Sequence, residues 1–267
     1  VKTAAEAAMT LAARAVGGGS VRERVGEAEW AVRVDLAAAY RLMAAAGVDD
    51  LTYNHLSARV PDEPDALLVK APDQTFDEVT ASGLCKFRTD GTPLTGASAP
   101  LRGGALVIHA GILAARPDVN AVFHTHTPAN MAVAAHRHGL LPVNQHALLF
   151  HGRLGRHVFR GLEFEPGMRE ALLEDLGANP VTILENHGAL VVAPTVPEAF
   201  VLHHFYEMAC RGQVGALAGG ADPILPDPAV RDRAVAQLQG AGATKDGGKN
   251  WAACLRRAER LDPSFRT

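Results

Sequence analysis

His124 and His126 stand one residue apart at the end of the run Asn120-Ala121-Val122-Phe123-His124, which reads as a buried strand. Side chains at i and i+2 of an extended segment share a face, so both imidazoles can meet one ion without rearranging the backbone. Neutral imidazole suits Zn, Fe, Mn, Co or Ni, and a third ligand from a distant loop would complete a facial set with open positions for substrate. His187 is the candidate, because Gly188 after it permits a tight turn beside an ion. Spacing alone leaves metal binding and coincidence both open: the chain has twelve histidines, and an HxH pair lacks the specificity of a HExxH motif.

The elements that must position these residues follow from periodicity. Apolar residues recur at helical spacing from Glu29 to Ala46, and Gly47 supplies a stop. Leu56–Arg59, Ala66–Lys70 and Leu84–Phe87 are short runs between Pro, Asp and Gly, the spacing of a strand-rich meander. A helix is expected from about Arg102 to Ala115, ending ahead of Pro117. Pro128 suits a helix start. Val181–Leu184 and Ala189–Val192 flank His187 as two strands, and 197–219 reads as a long helix with His203 and His204 pointing in different directions. Residues 1–27 are expected to form an arm and linker, 28–220 one domain, and 221–267 an extension packing on the domain or on a neighbouring subunit.

Composition narrows the partners. With 48% hydrophobic residues the chain can build a substantial core, and a net charge of -3 without a Lys/Arg cluster offers nucleic acid or a membrane surface little. Charge or Pro interrupts every apolar stretch before the ~18 residues of a membrane span. Lys2, Glu6 and Arg14 break the apolar region a signal peptide needs, so a cytoplasmic protein is expected. Cys85, Cys210 and Cys254 are odd in number and widely spaced, which suggests neither disulfides nor a thiolate metal site.

The segment from His109 to His126, followed by Glu185-Asn186-His187-Gly188, resembles the class II aldolase/adducin family. Trp30–Arg33, Tyr53–Arg59 and Thr80–Ser82 extend the likeness over roughly residues 28–220, and Trp251–Arg266 resembles the tails of bacterial adducin-like members. The resemblance implies an α/β fold, an α/β/α sandwich around a mainly antiparallel sheet, in a homotetramer with its site at a subunit interface. It also implies one divalent metal ion per subunit on His124, His126 and His187, zinc first, with Fe(II) or Mn as alternatives.

The departures from that pattern matter as much. The sugar-phosphate aldolases carry a carboxylate where this chain has Ala105, and serines where it has Gly103 and Gly104. Asp73 replaces a glycine of the other phosphate loop, and Asn54-His55 stands for the first loop's Gly-Asn. A carboxylate near phosphate is repulsive, which argues against a phosphorylated sugar. His109, four residues after Ala105, is open to two readings: fourth ligand or proton-transfer group, or a hydrogen-bonded core histidine. Gln145 and His146 fall where relatives place a substrate-facing residue from a neighbouring subunit. Among the cations Arg33, Arg59, Lys70 and Arg102, Arg102 is the candidate for a substrate carboxylate; Asn54 is a further substrate-binding candidate, and Glu185 would orient His187 from the second shell.

The leading functional reading is a metal-dependent lyase that breaks or forms a carbon–carbon bond in a small unphosphorylated 2-oxo or 2-hydroxy acid, by retro-aldol or decarboxylation chemistry. One alternative is a three-histidine Fe(II) oxygenase acting on an aryl-pyruvate-type acid. Another is a non-catalytic adducin-like interaction module.

Overall fold

The computed structural model describes residues 20–220, 222–240, 242 and 244–267, so most of the expected arm, 1–19, lies outside the described residues. Ser20 closes a capping box with Glu23 on a one-turn helix, α1 (Val21–Arg24). The long helix α2 (Glu27–Ala45) buries Leu36, Tyr40 and Met43, a stripe at i, i+4 and i+7 facing the sheet.

Eight strands form one sheet: β1 (His55–Val60), β2 (Glu63–Val69), β3 (Cys85–Arg88), β4 (Pro93–Thr95), β5 (Ala121–Thr125), β6 (Leu154–His157), β7 (Val181–Leu184) and β8 (Gly188–Ala193). Their order is β4-β3-β2-β1-β5-β8-β7-β6. All neighbours are antiparallel except β6 and β7. The inner strands are apolar on both faces, as a sheet covered by helices on both sides requires.

One face carries α2, α4 (Pro128–Ala134) and α7 (Val196–Leu217), with Leu36, Tyr40, Phe123, Val133, Phe200 and Tyr206 in a common core. The other face carries α3 (Ala105–Ala110 continued by Gly111–Ala115) and α6 (Arg169–Leu176), where Ile108, Ile112, Val122, Leu172 and Leu190 pack together. This is the expected α/β/α sandwich. Alternation along β5 sends Phe123 to the first core and Val122 to the second, which puts His124 on the α3 side.

The expected helix over 102–115 differs in its winding. Gly103 (φ +58°) turns the chain, Ala105–Ala110 is a π-helix, and Gly111–Ala115 continues it as an α-helix; these two segments make α3. The wider turn displaces side chains from the i, i+4 alignment expected of Ala105 and His109, and such turns are frequent at functional sites.

Beyond α7, α8 (Pro228–Gly240) and α9 (Gly248–Leu261) complete the chain. Trp251 of α9 donates Nε1–H to Asp35 of α2 (3.1 Å) and packs on Phe200 of α7. Backbone bonds from Ala81 and Ser82 to the Phe265 and Thr267 carbonyls, both 2.9 Å, fasten the last residues. Among the described residues, no helix is long and apolar enough to cross a membrane.

Candidate metal centre

β5 delivers His124 at its buried end, and His126 follows where the chain leaves the sheet toward α4. Asn54, just before β1, accepts the His126 backbone N–H on Oδ1 (2.9 Å) and so fixes that exit. β1 is itself pinned by the buried Tyr40 hydroxyl, which receives Leu56 N–H at 2.8 Å and donates to the Leu56 carbonyl. His187 arrives from the β7–β8 turn, where Asn186 rather than glycine takes the left-handed conformation (φ +52°). Gly188 answers a different need: a Cβ there would lie 2.5 Å from the Thr125 carbonyl and 3.0 Å from the His126 ring.

The three rings share one arrangement of neighbours. His124 Nδ1 lies 3.0 Å from the Ala189 carbonyl, His126 Nδ1 3.0 Å from Asp50 Oδ2, and His187 Nδ1 3.0 Å from Glu163 Oε2. The Ala189 carbonyl and Asp50 hold the proton on Nδ1 of His124 and His126, and the charge of Glu163 beside His187 Nδ1 favours the same tautomer there, which leaves the lone pairs on Nε2. Those Nε2 atoms converge: His126 Nε2 is 2.8 Å from that of His124 and 3.1 Å from that of His187. An ion at ~2.1 Å from each of three imidazole nitrogens would set them about 3 Å apart, so the donor set fits a divalent metal. Burial and neighbouring imidazoles hold the His124 pKa well below the ordinary histidine value; burial also lowers that of His126, against the pull of Asp50. Neutral rings are what a metal requires.

Glu163 is 1% exposed, and its two oxygens lie near His187 Nδ1 and, at 3.5 Å, His157 Nε2 without the alignment of hydrogen bonds. His157 Nδ1 in turn lies 2.7 Å from Asp175 Oδ2. Burial raises the Glu163 pKa, but the two imidazoles outweigh it and hold the carboxyl well below the carboxylate range. Beside the ligands, His55 packs on His124 with ring centres 5.2 Å apart. His55 Nδ1 meets His109 Nε2 at 2.6 Å, and His109 Nδ1 meets Ser57 Oγ at 2.6 Å.

Residues 34–214 match the family described as Class II Aldolase and Adducin N-terminal domain. The chain belongs to this family. A provisionally named aldolase class 2 protein of Caulobacter vibrioides is 37% identical, over 92% of this chain and 96% of its own. Rat alpha-adducin is 36% identical over 74% of this chain, which spans only 28% of that protein. Among solved structures, an aldolase II superfamily protein from Pseudomonas syringae superposes with a TM-score of 0.88 at 39% identity, covering 93% of this chain and all of its own. The L-fuculose 1-phosphate aldolase of Glaciozyma antarctica shares the fold at TM-score 0.78 and 22% identity, with 96% and 99% of the two chains covered.

For this class II aldolase and adducin family member, the structure brings His124, His126 and His187 into one cluster and distributes the other candidates differently. Both nitrogens of His109 are engaged, by Ser57 and His55, so it does not reach the cluster as a fourth ligand. Arg102 is exposed beside Gly103, against which Phe164 packs. Arg33, Arg59 and Lys70 are spent on backbone carbonyls of neighbouring loops. Gln145 and His146 lie on the short helix α5 (Gln145–Leu149), where His146 stacks on Phe205 of α7. Asn54 is fully buried, with Oδ1 committed to the His126 backbone and Nδ2 without a partner among the described residues. Glu185 is paired with Arg156, which removes it from the expected second-shell place; Glu163 takes that place on His187. Glu163, Asp50 and the inward role of His55 were not foreseen: only the Asn54-His55 departure from the family pattern marked the vicinity.

Proposed function

We propose that this chain is a divalent-metal-dependent lyase that cleaves or forms a carbon–carbon bond next to the carbonyl of a small unphosphorylated 2-oxo or 2-hydroxy acid. The observation that carries this reading is the convergence of three Nε2 lone pairs, with every Nδ1 turned to an acceptor. Membership of the family supports the reaction class. A bound divalent ion would act as a Lewis acid, drawing electron density from the substrate carbonyl as negative charge forms beside it. Asp50, Glu163 and the Ala189 carbonyl keep the three rings oriented, and Asn54 holds the backbone of the second ligand. Gly103, Gly104 and Ala105 offer no side-chain donors to a phosphate, while the exposed Arg102 at the same turn suits a carboxylate.

Leu51 and Tyr53, next to Asp50 and Asn54, are 72% and 68% exposed, and Phe164, next to Glu163, is 60% exposed. Apolar side chains grouped this way at the site support a homo-oligomer that closes over it, and a tetramer is the form we propose. In such an assembly Gln145 and His146 would reach a pocket only from a second copy.

A second reading has its own observation: the cluster contains three imidazoles and no carboxylate, a set that suits an Fe(II) oxygenase acting on an aryl-pyruvate-type acid. Elemental analysis of untagged protein purified anaerobically without added metal separates them. Near-stoichiometric zinc or manganese supports the lyase, near-stoichiometric iron the oxygenase, and no metal a non-catalytic module akin to the adducins. His124→Ala is expected to abolish metal-dependent turnover of such an acid while retaining the fold by circular dichroism; full turnover in that variant would sink the metal-dependent reading.

A further inference from the structure

Two groups hold His126, and both ride on one short strap. Asp50 Oδ2 lies 3.0 Å from the ring at Nδ1, and Asn54 Oδ1 accepts the backbone N–H at 2.9 Å. Residues 50–54 belong to no helix or strand. They turn through Leu51, which takes the left-handed conformation (φ +51°) that a residue with a Cβ resists, and Tyr53 N–H donates to the Asp50 carbonyl at 2.9 Å. Leu51 and Tyr53 are largely exposed in the single chain, so apolar burial does little to keep this turn in place.

Lys70 fastens the strap to the sheet. It follows β2 directly and is 4% exposed, and its Nζ donates to the Thr52 carbonyl, in the middle of the strap, at 2.9 Å. Val69, just before it, is paired with Ser57 of β1 on one side and Cys85 of β3 on the other, so the lysine extends from an interior strand. Burying an ammonium costs hydration, and a side chain placed there only to fill space would be apolar. Burial lowers the Lys70 pKa to about 8, which still leaves the amine charged at neutral pH, and a charged donor makes the stronger bond to a carbonyl.

We propose that Lys70 is a positioning residue for the metal centre: through the Thr52 carbonyl it holds the strap whose Asp50 and Asn54 orient His126. The role rests on the metal-dependent reading above, and one of its two tests needs no metal.

The first test is zinc affinity, read by competition with a chelating dye. Lys70→Met is expected to weaken zinc about tenfold and Asp50→Ala by a similar factor, the usual effect of removing a group that orients a metal-bound histidine. Because both act through one strap, the double variant is expected to lose clearly less than the product of the two single losses. The second test is amide hydrogen exchange of metal-free protein. In Lys70→Met the His126 amide is expected to exchange about tenfold faster, while the amides of β8 keep their rates within about twofold. Lys70→Gln, one bond shorter than lysine, is expected to repeat both effects and decides the matter where the methionine variant does not fold. A zinc loss below about twofold, losses that multiply in the double variant, an unchanged His126 amide, or equal acceleration across β8 each overturn the role assigned to Lys70. Failure of the unaltered protein to bind zinc would instead sink the metal-dependent reading, and the exchange rates would still decide whether Lys70 holds His126.

Discussion

Glu163 is the residue whose environment demands the most explanation. A carboxylate that is 1% exposed gives up its hydration, and here the His157 and His187 imidazoles lie near enough to compensate. Its negative charge beside His187 Nδ1 favours the tautomer that exposes Nε2. Glu163→Gln keeps the shape and removes the charge. The variant is expected to bind zinc about 10- to 100-fold more weakly than the unaltered protein, measured by competition with a chelating dye. An unchanged affinity would show that Glu163 serves only to pair with His157. At this scale the imidazole cluster was legible in the sequence, because a two-residue repeat on a strand places two rings on one face and the family resemblance added His187. Their supporting acceptors were not: Asp50 and Glu163 belong to loops whose approach to the rings is set by tertiary closure, and the nearer acid in the sequence, Glu185, is drawn away by Arg156.

The long helices and inner strands were legible because their apolar periods are strong, and α2 and α7 end within two residues of the expected bounds. The short edge strands β4 and β6 and the π-helical turn of α3 left no comparable pattern. Helix α7 also does something its period did not reveal. His203 Nε2 lies 2.8 Å from Thr125 Oγ1, Thr125 receives Asn130 Nδ2–H at 3.0 Å, and Thr127 donates to Glu207 at 2.6 Å. The residues flanking His126 are thus tied to α7 through buried polar bonds. Burial lowers the His203 pKa to about 4, from an ordinary value of 6.5. Between those values the unfolded chain binds more protons than the folded one, so stability is fully present above about 6.5 and is lost as pH falls toward 4. Urea midpoints of metal-stripped protein are expected to drop between about pH 7.5 and about pH 5, and His203→Gln to flatten that drop. An identical pH response in the variant would mean that His203 is already protonated in the fold.

At the scale of the whole molecule, the imidazole cluster brings together distant parts of the chain. His126 and His187 are 61 residues apart, and their Nε2 atoms meet at 3.1 Å above the junction of β5 and β8. Three lone pairs this close repel one another unless a cation or shared proton lies between them, so ion binding favours the folded arrangement, and the unfolded chain lacks the assembled site. The stabilisation grows with the ratio of free metal to dissociation constant, about 2.7 kcal/mol at a hundredfold excess. For a chain of this length that corresponds to roughly 5–10 °C in Tm. Chelation by EDTA is therefore expected to lower the Tm of zinc-loaded protein by about that amount, reversibly on adding zinc back. His187→Ala should show little response to either treatment, because two imidazoles cannot assemble the same site. An equal EDTA effect in that variant would place the stabilising metal elsewhere on the molecule, and no effect in the unaltered protein would remove the ion from the account of its stability.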